Sequence, residues 1–334
     1  MAIRTVLGAI EAGTQGITLM HEHIFMDLRN KFNATQINQF DDPVTDEAVH
    51  LLRKNHRLLK DNLYLSDEKL ASQELGEFRQ HGGGTIVEIS ARGMGGQPAL
   101  LKQLSQSSKV HIVASTGFYT EATYPSFVKT LSVREIADLI IHDINEGIED
   151  SGVCAGIIGE IGTSASITDM EWRVLEGAVL AQRCTGAAIS IHIDPWKPNG
   201  IVVAKKLETW KADLKRVIIG HVDAVLDLEY CRTLLKAGCV IEFDNFAKNY
   251  QTPNLHFDSD QQRIQALMTL IEEGYEHQIT ISTDICLKTD LYRYGGGGYG
   301  HIPRTIIPSL RDNGIPEKTI QHITIMTPAR LLDF

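Results

Sequence analysis

The sequence contains no uninterrupted run of about 18 apolar residues, so a membrane-spanning helix is not expected. It has no excess of positive charge either. Its 32 Lys and Arg stand against 42 Asp and Glu, a formal charge of −10, which offers no electrostatic footprint for nucleic acid or an anionic membrane. Cysteine is sparse. Cys154, Cys184, Cys231, Cys239 and Cys286 are scattered without a CxxC spacing or a disulfide framework, and read as buried thiols in a reducing compartment. The opening Met1-Ala2-Ile3-Arg4-Thr5 lacks the charged-then-apolar layout of a secretory signal, so a cytoplasmic protein is expected. Internal repeats and low-complexity tracts are missing, apart from the glycine run Gly295 to Gly298. Also missing is a glycine-rich phosphate fingerprint after an early strand, which counts against a doubly wound nucleotide-binding sheet.

What is there is an ordinary core-forming composition, 43% hydrophobic and 22% charged, over 334 residues. Short apolar runs recur along it: Ile17 to His23, Thr85 to Ser90, His111 to Thr116, Ala155 to Glu160, Ala187 to Ile193, Arg216 to His221, Cys239 to Asp244 and Gln278 to Asp284. Helical patterns connect them, around Thr45 to Leu59, Ser66 to His81 and Ser259 to Glu273, the last stopping at Gly274. Ser132 with Glu135 and Thr168 with Glu171 read as capping boxes opening two further helices. Eight apolar strands alternating with amphipathic helices predict one (β/α)₈ TIM barrel spanning residues 1–334. Its catalytic residues should sit at the C-terminal ends of the strands.

Those strand ends carry the chemistry. The first run ends in His21 and His23, whose two-residue spacing on a strand puts both imidazoles on one side. Later runs end in Glu160, His192, His221 and Asp284. Converging at a barrel mouth, these supply enough ligands for two divalent ions about 3.5–4 Å apart with a shared carboxylate. Such a pair generates hydroxide near neutral pH and polarises a carbonyl or phosphoryl oxygen. A carboxylate such as Asp284, touching both metal and hydroxide, is the nearest base for the proton.

The chain resembles the phosphotriesterase family of the amidohydrolase superfamily, most closely its phosphotriesterase-related proteins. The resemblance runs from Arg4-Thr5-Val6-Leu7-Gly8 to Thr327-Pro328-Ala329-Arg330. It rests on Thr18-Leu19-Met20-His21-Glu22-His23, Gly156-Ile157-Ile158-Gly159-Glu160-Ile161-Gly162, Gly220-His221-Val222-Asp223, Ser282-Thr283-Asp284 and Tyr294 through His301. It implies that His21, His23 and Asp284 bind the more buried ion and His192 and His221 the more exposed one. Glu160 stands where many members carry a bridging carboxylated lysine, so the bridge needs no carbon dioxide. The metal is expected to be zinc, with manganese, cobalt or iron as alternatives, and a homodimer is the family expectation. Tyr119 matches the tyrosine that lactonases of the family hold near the hydroxide and is taken as a carbonyl polariser. The phosphotriester-cleaving members relay the proton through a histidine on the seventh strand. This chain has Asp244-Asn245 there, and asparagine cannot titrate.

The reading is therefore a metal-dependent hydrolase in which a metal-bound hydroxide attacks a small, anionic acyl compound: an N-acyl amide, lactone or ester, with a tilt toward the amide. A true phosphotriesterase and a non-catalytic metal- and ligand-binding barrel are the rivals. Lys288, Arg293 and Tyr294, on the loop after the eighth strand, and Arg92, after the second, are candidates to grip the substrate's anionic group. Trp196 is a candidate wall of the pocket. Asp223 either orients a ligand such as His221 or is a turn residue. His111, His142, His256, His277 and His322, with Glu88 and Glu242, are read as structural. The glycine run reads as a flexible loop, since it lacks the lysine and serine or threonine of a nucleotide loop.

Overall fold

The computed structural model describes residues 2–31, 42–249, 251–252 and 255–334. Eight parallel strands run in chain order around one sheet. They are β1 (Ile17–Glu22), β2 (Gly83–Glu88), β3 (His111–Thr116), β4 (Ile157–Gly162), β5 (Ile189–His192), β6 (Val217–Ile219), β7 (Val240–Phe243) and β8 (Ile279–Ile281). Seven consecutive pairs are joined by parallel ladders. The eighth gap, between β8 and β1, is bridged beyond the end of β8. Ser282 Oγ accepts from the His21 amide at 3.0 Å, and the Asp284 amide donates to the His21 carbonyl at 3.2 Å.

The helices between strands follow the expected signals. α1 (Glu68–Gln80) is capped by Asp67, whose carboxylate accepts from the Lys69 and Leu70 amides. α2 (Pro98–Ser108) starts with proline, and α3 (Val133–Asn145) and α4 (Asp169–Thr185) open with the capping boxes of Ser132–Glu135 and Thr168–Glu171. α5 (Gly200–Thr209), α6 (Leu228–Ala237) and α7 (Asp260–Glu272) complete the layer, and short helical turns from Ile302 to Leu332 follow. The helix expected over Thr45 to Leu59 is reduced to Val49–Leu52. There Asn55 ends the helical hydrogen bonding by accepting the Arg57 amide on its own side chain, and a 3₁₀ turn at Lys60–Leu63 follows. No helix among the described residues is long and apolar enough to cross a membrane.

Strand alternation divides the core in two. Met20, Val87, Val113, Ile157, Ala188, Ile218 and Val240 form one cluster, closed from one end by Ile3, Leu331 and Leu332. That is the barrel interior. Leu19, Ile86, Ile112, Ile158 and Ile189 point the other way, into the helix layer.

Candidate metal centre

The apolar interior layer decides which strand-end side chains face inward. On β5 and β7 simple alternation suffices: His192 shares the face of Ala188, and Glu242 and Asp244 share that of Val240. On β1 and β4 alternation alone would send His21 and Glu160 outward, because they have the opposite parity to Met20 and Ile157. The pairing register shifts between Leu19 and Glu22 and between Ile158 and Ile161, which re-aims the following side chains into the mouth. His221 and Asp284 take left-handed backbone conformations, with φ of 59° and 45°. For His221, whose parity is opposite to that of the interior residue Ile218, this turns the side chain inward where an ordinary strand residue would face the helix layer.

All six predicted ligands meet there, buried. Glu160 Oε1 lies 3.3 Å from His21 Nε2, 3.1 Å from His192 Nδ1 and 3.4 Å from His221 Nε2. Asp284 Oδ1 lies 3.4 Å from His23 Nε2 and 3.7 Å from His21 Nε2. His21, His23 and Asp284 form one group whose donor atoms all lie within 4.8 Å of one another, and Glu160, His192 and His221 form another.

The donor set fits cations on two counts. His21 is fully buried, yet neither ring nitrogen makes an aligned hydrogen bond. His221 Nδ1 is held by Asp244 Oδ1 at 3.0 Å, which leaves the lone pair on Nε2 facing His192 Nδ1 at 2.7 Å. Two imidazole nitrogens that close need a proton or a cation between them.

Around the ligands sits a set of carboxylates that orient them. His23 Nδ1 contacts Ser90 Oγ at 2.9 Å, leaving Nε2 for the cluster. His21 Nδ1 faces Asp244 Oδ2 at 3.4 Å and Glu242 Oε2 at 3.7 Å. Burial pushes Glu242 up to about 7. Burial would pull His221 down, but the Asp244 carboxylate beside it raises it to about 10. Asp244 is thus the partner that fixes the His221 tautomer. Asp223 does not perform that service: it pairs with Arg263 at 3.0 Å and accepts from the Asn245 amide and side chain at 3.0 and 2.8 Å. It builds the turn that presents Asp244. Replacing Asp244 with Asn should therefore weaken metal affinity about 10- to 100-fold with the fold intact, as isothermal titration of the metal-free protein would measure.

Two lysines that the sequence reading passed over also enter the site. Lys248 Nζ is hydrogen-bonded to Asp284 Oδ2. Burial pushes the Asp284 carboxyl up, but the Lys248 ammonium outweighs it and holds the group well below the usual carboxylate range. Lys31 Nζ donates to Tyr119 OH at 2.5 Å, and that hydroxyl lies 3.3 Å from His192 Nε2. Tyr119 therefore stands at the ligand cluster, as expected.

The cavity over the cluster has a volume of about 270 Å³ and is lined by Tyr119, Trp196, Lys31, His56, Arg57 and Lys248 among others. Trp196 packs edge-on against Phe257 at 5.1 Å and forms part of the wall. The other proposed substrate contacts lie outside the lining. Lys288 is paired with Asp61 at 2.5 Å, Arg293 with Asp46 at 2.8 Å, and Arg92 with Asp143 and Glu149 at 2.7 and 2.6 Å. Tyr294 packs against Val44, Val49 and Leu52. Each cation had found a local carboxylate, which its distance along the chain does not reveal. The glycine run is not an open loop but a close-packed one. A Cβ on Gly296 would stand 2.1 Å from the Asp290 carbonyl oxygen, and Tyr299 just after the run donates its hydroxyl to the His23 carbonyl at 2.7 Å. His256 has its side chain outside the described residues.

The chain is similar to known proteins over nearly its whole length. A sequence model of the phosphotriesterase family matches residues 1–332. An N-acetyltaurine hydrolase of Dictyostelium discoideum is 34% identical, covering 99% of this chain and 97% of its own. The structure of a resiniferatoxin-binding protein from Rhodobacter sphaeroides superposes with a TM-score of 0.94 at 31% identity, over 99% of this chain and 95% of that one. A lactonase from Listeria monocytogenes superposes with a TM-score of 0.83 at 25% identity, over 100% and 99% of the two chains.

Proposed function

The chain belongs to the phosphotriesterase family, and from that premise we propose that it hydrolyses N-acyl amides of small anionic amines, of which N-acetyltaurine is the first to test. Full-length similarity to proteins named N-acetyltaurine hydrolase carries the reading. His21, His23 and Asp284 would hold one divalent ion and His192 and His221 a second, with Glu160 between them. When bound, the ions, zinc first, lower the pKa of a water to about 7 and polarise a carbonyl.

The chain's own residues supply the rest. Tyr119 directs its hydroxyl toward the His192 side of the cavity, where it can donate to the carbonyl oxygen of the acyl group. Asp284, held ionised by Lys248, takes the proton of the attacking water on its carboxylate and is placed to pass it to the departing amine nitrogen. Water oxygen bonds to the carbonyl carbon, the C–N bond breaks, and a carboxylic acid and an amine leave. Lactone hydrolysis uses the same groups and is the second reading, favoured by the likeness to the Listeria lactonase and by Tyr119. Phosphotriester cleavage is disfavoured. The Asn245 side-chain amide is committed to Asp223 and Asp244, both at 2.8 Å, and offers no titrating relay.

The test is metal analysis of the purified protein together with turnover of N-acetyltaurine, a γ-lactone, an aryl ester and an aryl phosphotriester, before and after chelation. About two ions per chain and chelator-sensitive cleavage of the amide are expected. Preferred cleavage of the lactone would replace the amide reading with the second one. Turnover unaffected by complete metal removal would overturn the metal-dependent reading altogether.

A further inference from the structure

A phenol beside a metal cluster polarises a carbonyl only if its own hydrogen points at the substrate, and a neighbouring acceptor would otherwise take that hydrogen. The surroundings of Tyr119 settle the direction. Its side chain is buried, and among the described residues two polar groups stand at its hydroxyl. Lys31 Nζ lies 2.5 Å from the oxygen, and the His192 ring lies 3.3 Å away at Nε2 and 3.4 Å at Nδ1. An ammonium has hydrogens and no lone pair, so it can only donate. The His192 side is fixed by what lies behind the ring. Nδ1 faces Glu160 Oε1 at 3.1 Å and His221 Nε2 at 2.7 Å, so it belongs to the ligand cluster. The proton of the neutral ring then sits on Nε2, which donates as well. Neither neighbour accepts, so the phenolic hydrogen is left for whatever enters the cavity beside Tyr119.

Lys31 is carried to this place by a fastened turn. It closes the turn Arg29–Lys31, where its amide donates to the Leu28 carbonyl at 3.1 Å and the Leu28 amide donates to the Leu63 carbonyl at 2.9 Å. Asp27 clamps the same turn, accepting from the Arg29 amide at 3.0 Å and from its guanidinium at 2.8 and 2.7 Å. The Lys31 ammonium lies over the Tyr119 ring, 4.6 Å from the centroid, and meets the hydroxyl from there. Burial pushes Lys31 down, and the nearby Glu160, Asp194 and Asp284 carboxylates oppose that.

We infer that Lys31 is a positioning residue: by donating to the Tyr119 oxygen it commits that hydroxyl to donate to the substrate's carbonyl oxygen. The inference rests on the acyl-hydrolysis reading above and adds one group to it. As charge gathers on the carbonyl oxygen in the transition state, a donor already aimed there needs no reorganisation. Accepting a hydrogen bond from an ammonium also makes the phenol a better donor, because linked hydrogen bonds polarise one another. No proton passes between Lys31 and Tyr119, and the bonds made and broken remain those of the hydrolysis. Lys31 also lines the cavity, so direct contact with the substrate is the rival role.

The experiment is a double-mutant cycle of wild type, Lys31→Met, Tyr119→Phe and the pair, with Lys31→Arg as the conservative variant. N-acetyltaurine, a γ-lactone and an aryl ester are the substrates. The cycle is read on whichever of them turns over, so failure of the amide reading leaves it intact. Methionine keeps an unbranched stem over the ring and removes the donor. Tyr119→Phe should lower kcat about 100-fold. Lys31→Met should lower kcat about tenfold with KM nearly unchanged, and Lys31→Arg should recover most of that loss. In the Tyr119→Phe background, Lys31→Met should change kcat by less than about twofold, because the group it acts through is gone. An equal loss in both backgrounds, or a loss confined to KM, would overturn the inference. A second readout needs no turnover. The Raman Fermi doublet of a tyrosine ring distinguishes a hydroxyl that accepts a strong hydrogen bond from one that only donates. The difference spectrum between wild type and Tyr119→Phe isolates Tyr119 and should show the accepting pattern. The same difference taken in the Lys31→Met background should move toward the donating one. Should wild type cleave none of the three compounds, the functional reading fails and this measurement alone decides: a doublet unmoved by Lys31→Met would end the inference.

Discussion

His21→Ala is expected to lower amide turnover by at least about 10³-fold and to abolish binding of one of two metal ions, while the metal-free protein melts close to the wild-type temperature. Few substitutions in the chain should separate activity from stability so widely. His21 touches both halves of the cluster, with Nε2 facing Glu160 and Asp284 and Nδ1 facing Asp244 and Glu242. Losing it removes a ligand from the more enclosed group and leaves Glu160 with fewer partners to hold it between the two sites. At 1.36 kcal/mol per decade, the expected loss corresponds to about 4 kcal/mol of transition-state stabilisation.

The stability side follows from the hydrogen-bond account. Both His21 nitrogens are buried without an aligned partner, so the metal-free fold carries the cost of two desolvated polar atoms. Truncation removes that cost, of about 1–3 kcal/mol per unsatisfied group, and adds a cavity cost of similar size. The two roughly cancel. Wild type should gain thermal stability on adding zinc, because a ligand that binds only the folded state stabilises it, and His21→Ala should lose most of that gain. Scanning calorimetry with and without metal distinguishes this from plain unfolding. A large drop in the metal-free melting temperature would mean that His21 is a structural histidine.

The candidate ligand set was legible in the sequence because a (β/α)₈ barrel collects chemistry at strand ends, and five of those ends carried its six His, Glu and Asp residues. Alternation does not by itself explain how they point inward, however. His21 and Glu160 depend on register shifts in β1 and β4, and His221 on its left-handed backbone. Glu242 and Asp244 were within reach of the sequence, since both share the parity of the core residue Val240. Parity was the signal, and Glu242 reads as structural only when burial is considered without it. Lys31, Arg57 and Lys248 had no such signal. They reach the cavity from segments whose path depends on tertiary packing, and nothing local distinguishes them from Lys288, Arg293 or Arg92, which lie outside the cavity lining. Pairing of long cationic side chains is decided by which acid lies nearby in space, and that is settled only once the loops are placed.

Glu22→Ala is expected to cost about 3–5 kcal/mol, a large share of the 5–15 kcal/mol that holds a typical domain together. Glu22 lies between the two ligand histidines, where chemistry would be looked for first, yet it serves the seam of the barrel. Its carboxylate accepts the Ser282 hydroxyl at 2.9 Å, the Thr283 hydroxyl and amide at 2.7 Å each, and the Ile285 amide at 2.9 Å. Those donors belong to the chain leaving β8, so one side chain from β1 fastens the two strands between which no ladder forms. Truncation would orphan two buried backbone amides that have no rotamer with which to find another acceptor. Thr283 and Ile285 also flank Asp284, so the same change should loosen a metal ligand and weaken metal binding along with the fold. Burial pushes the Glu22 carboxyl up, and the four donors only partly pull it back. The seam thus needs an acceptor more than it needs a charge. Glu22→Gln, which keeps one acceptor oxygen, should consequently lose less than half as much stability as Glu22→Ala in urea titrations. Equal losses for the two substitutions would show that the charge, and not the acceptor geometry, closes the barrel.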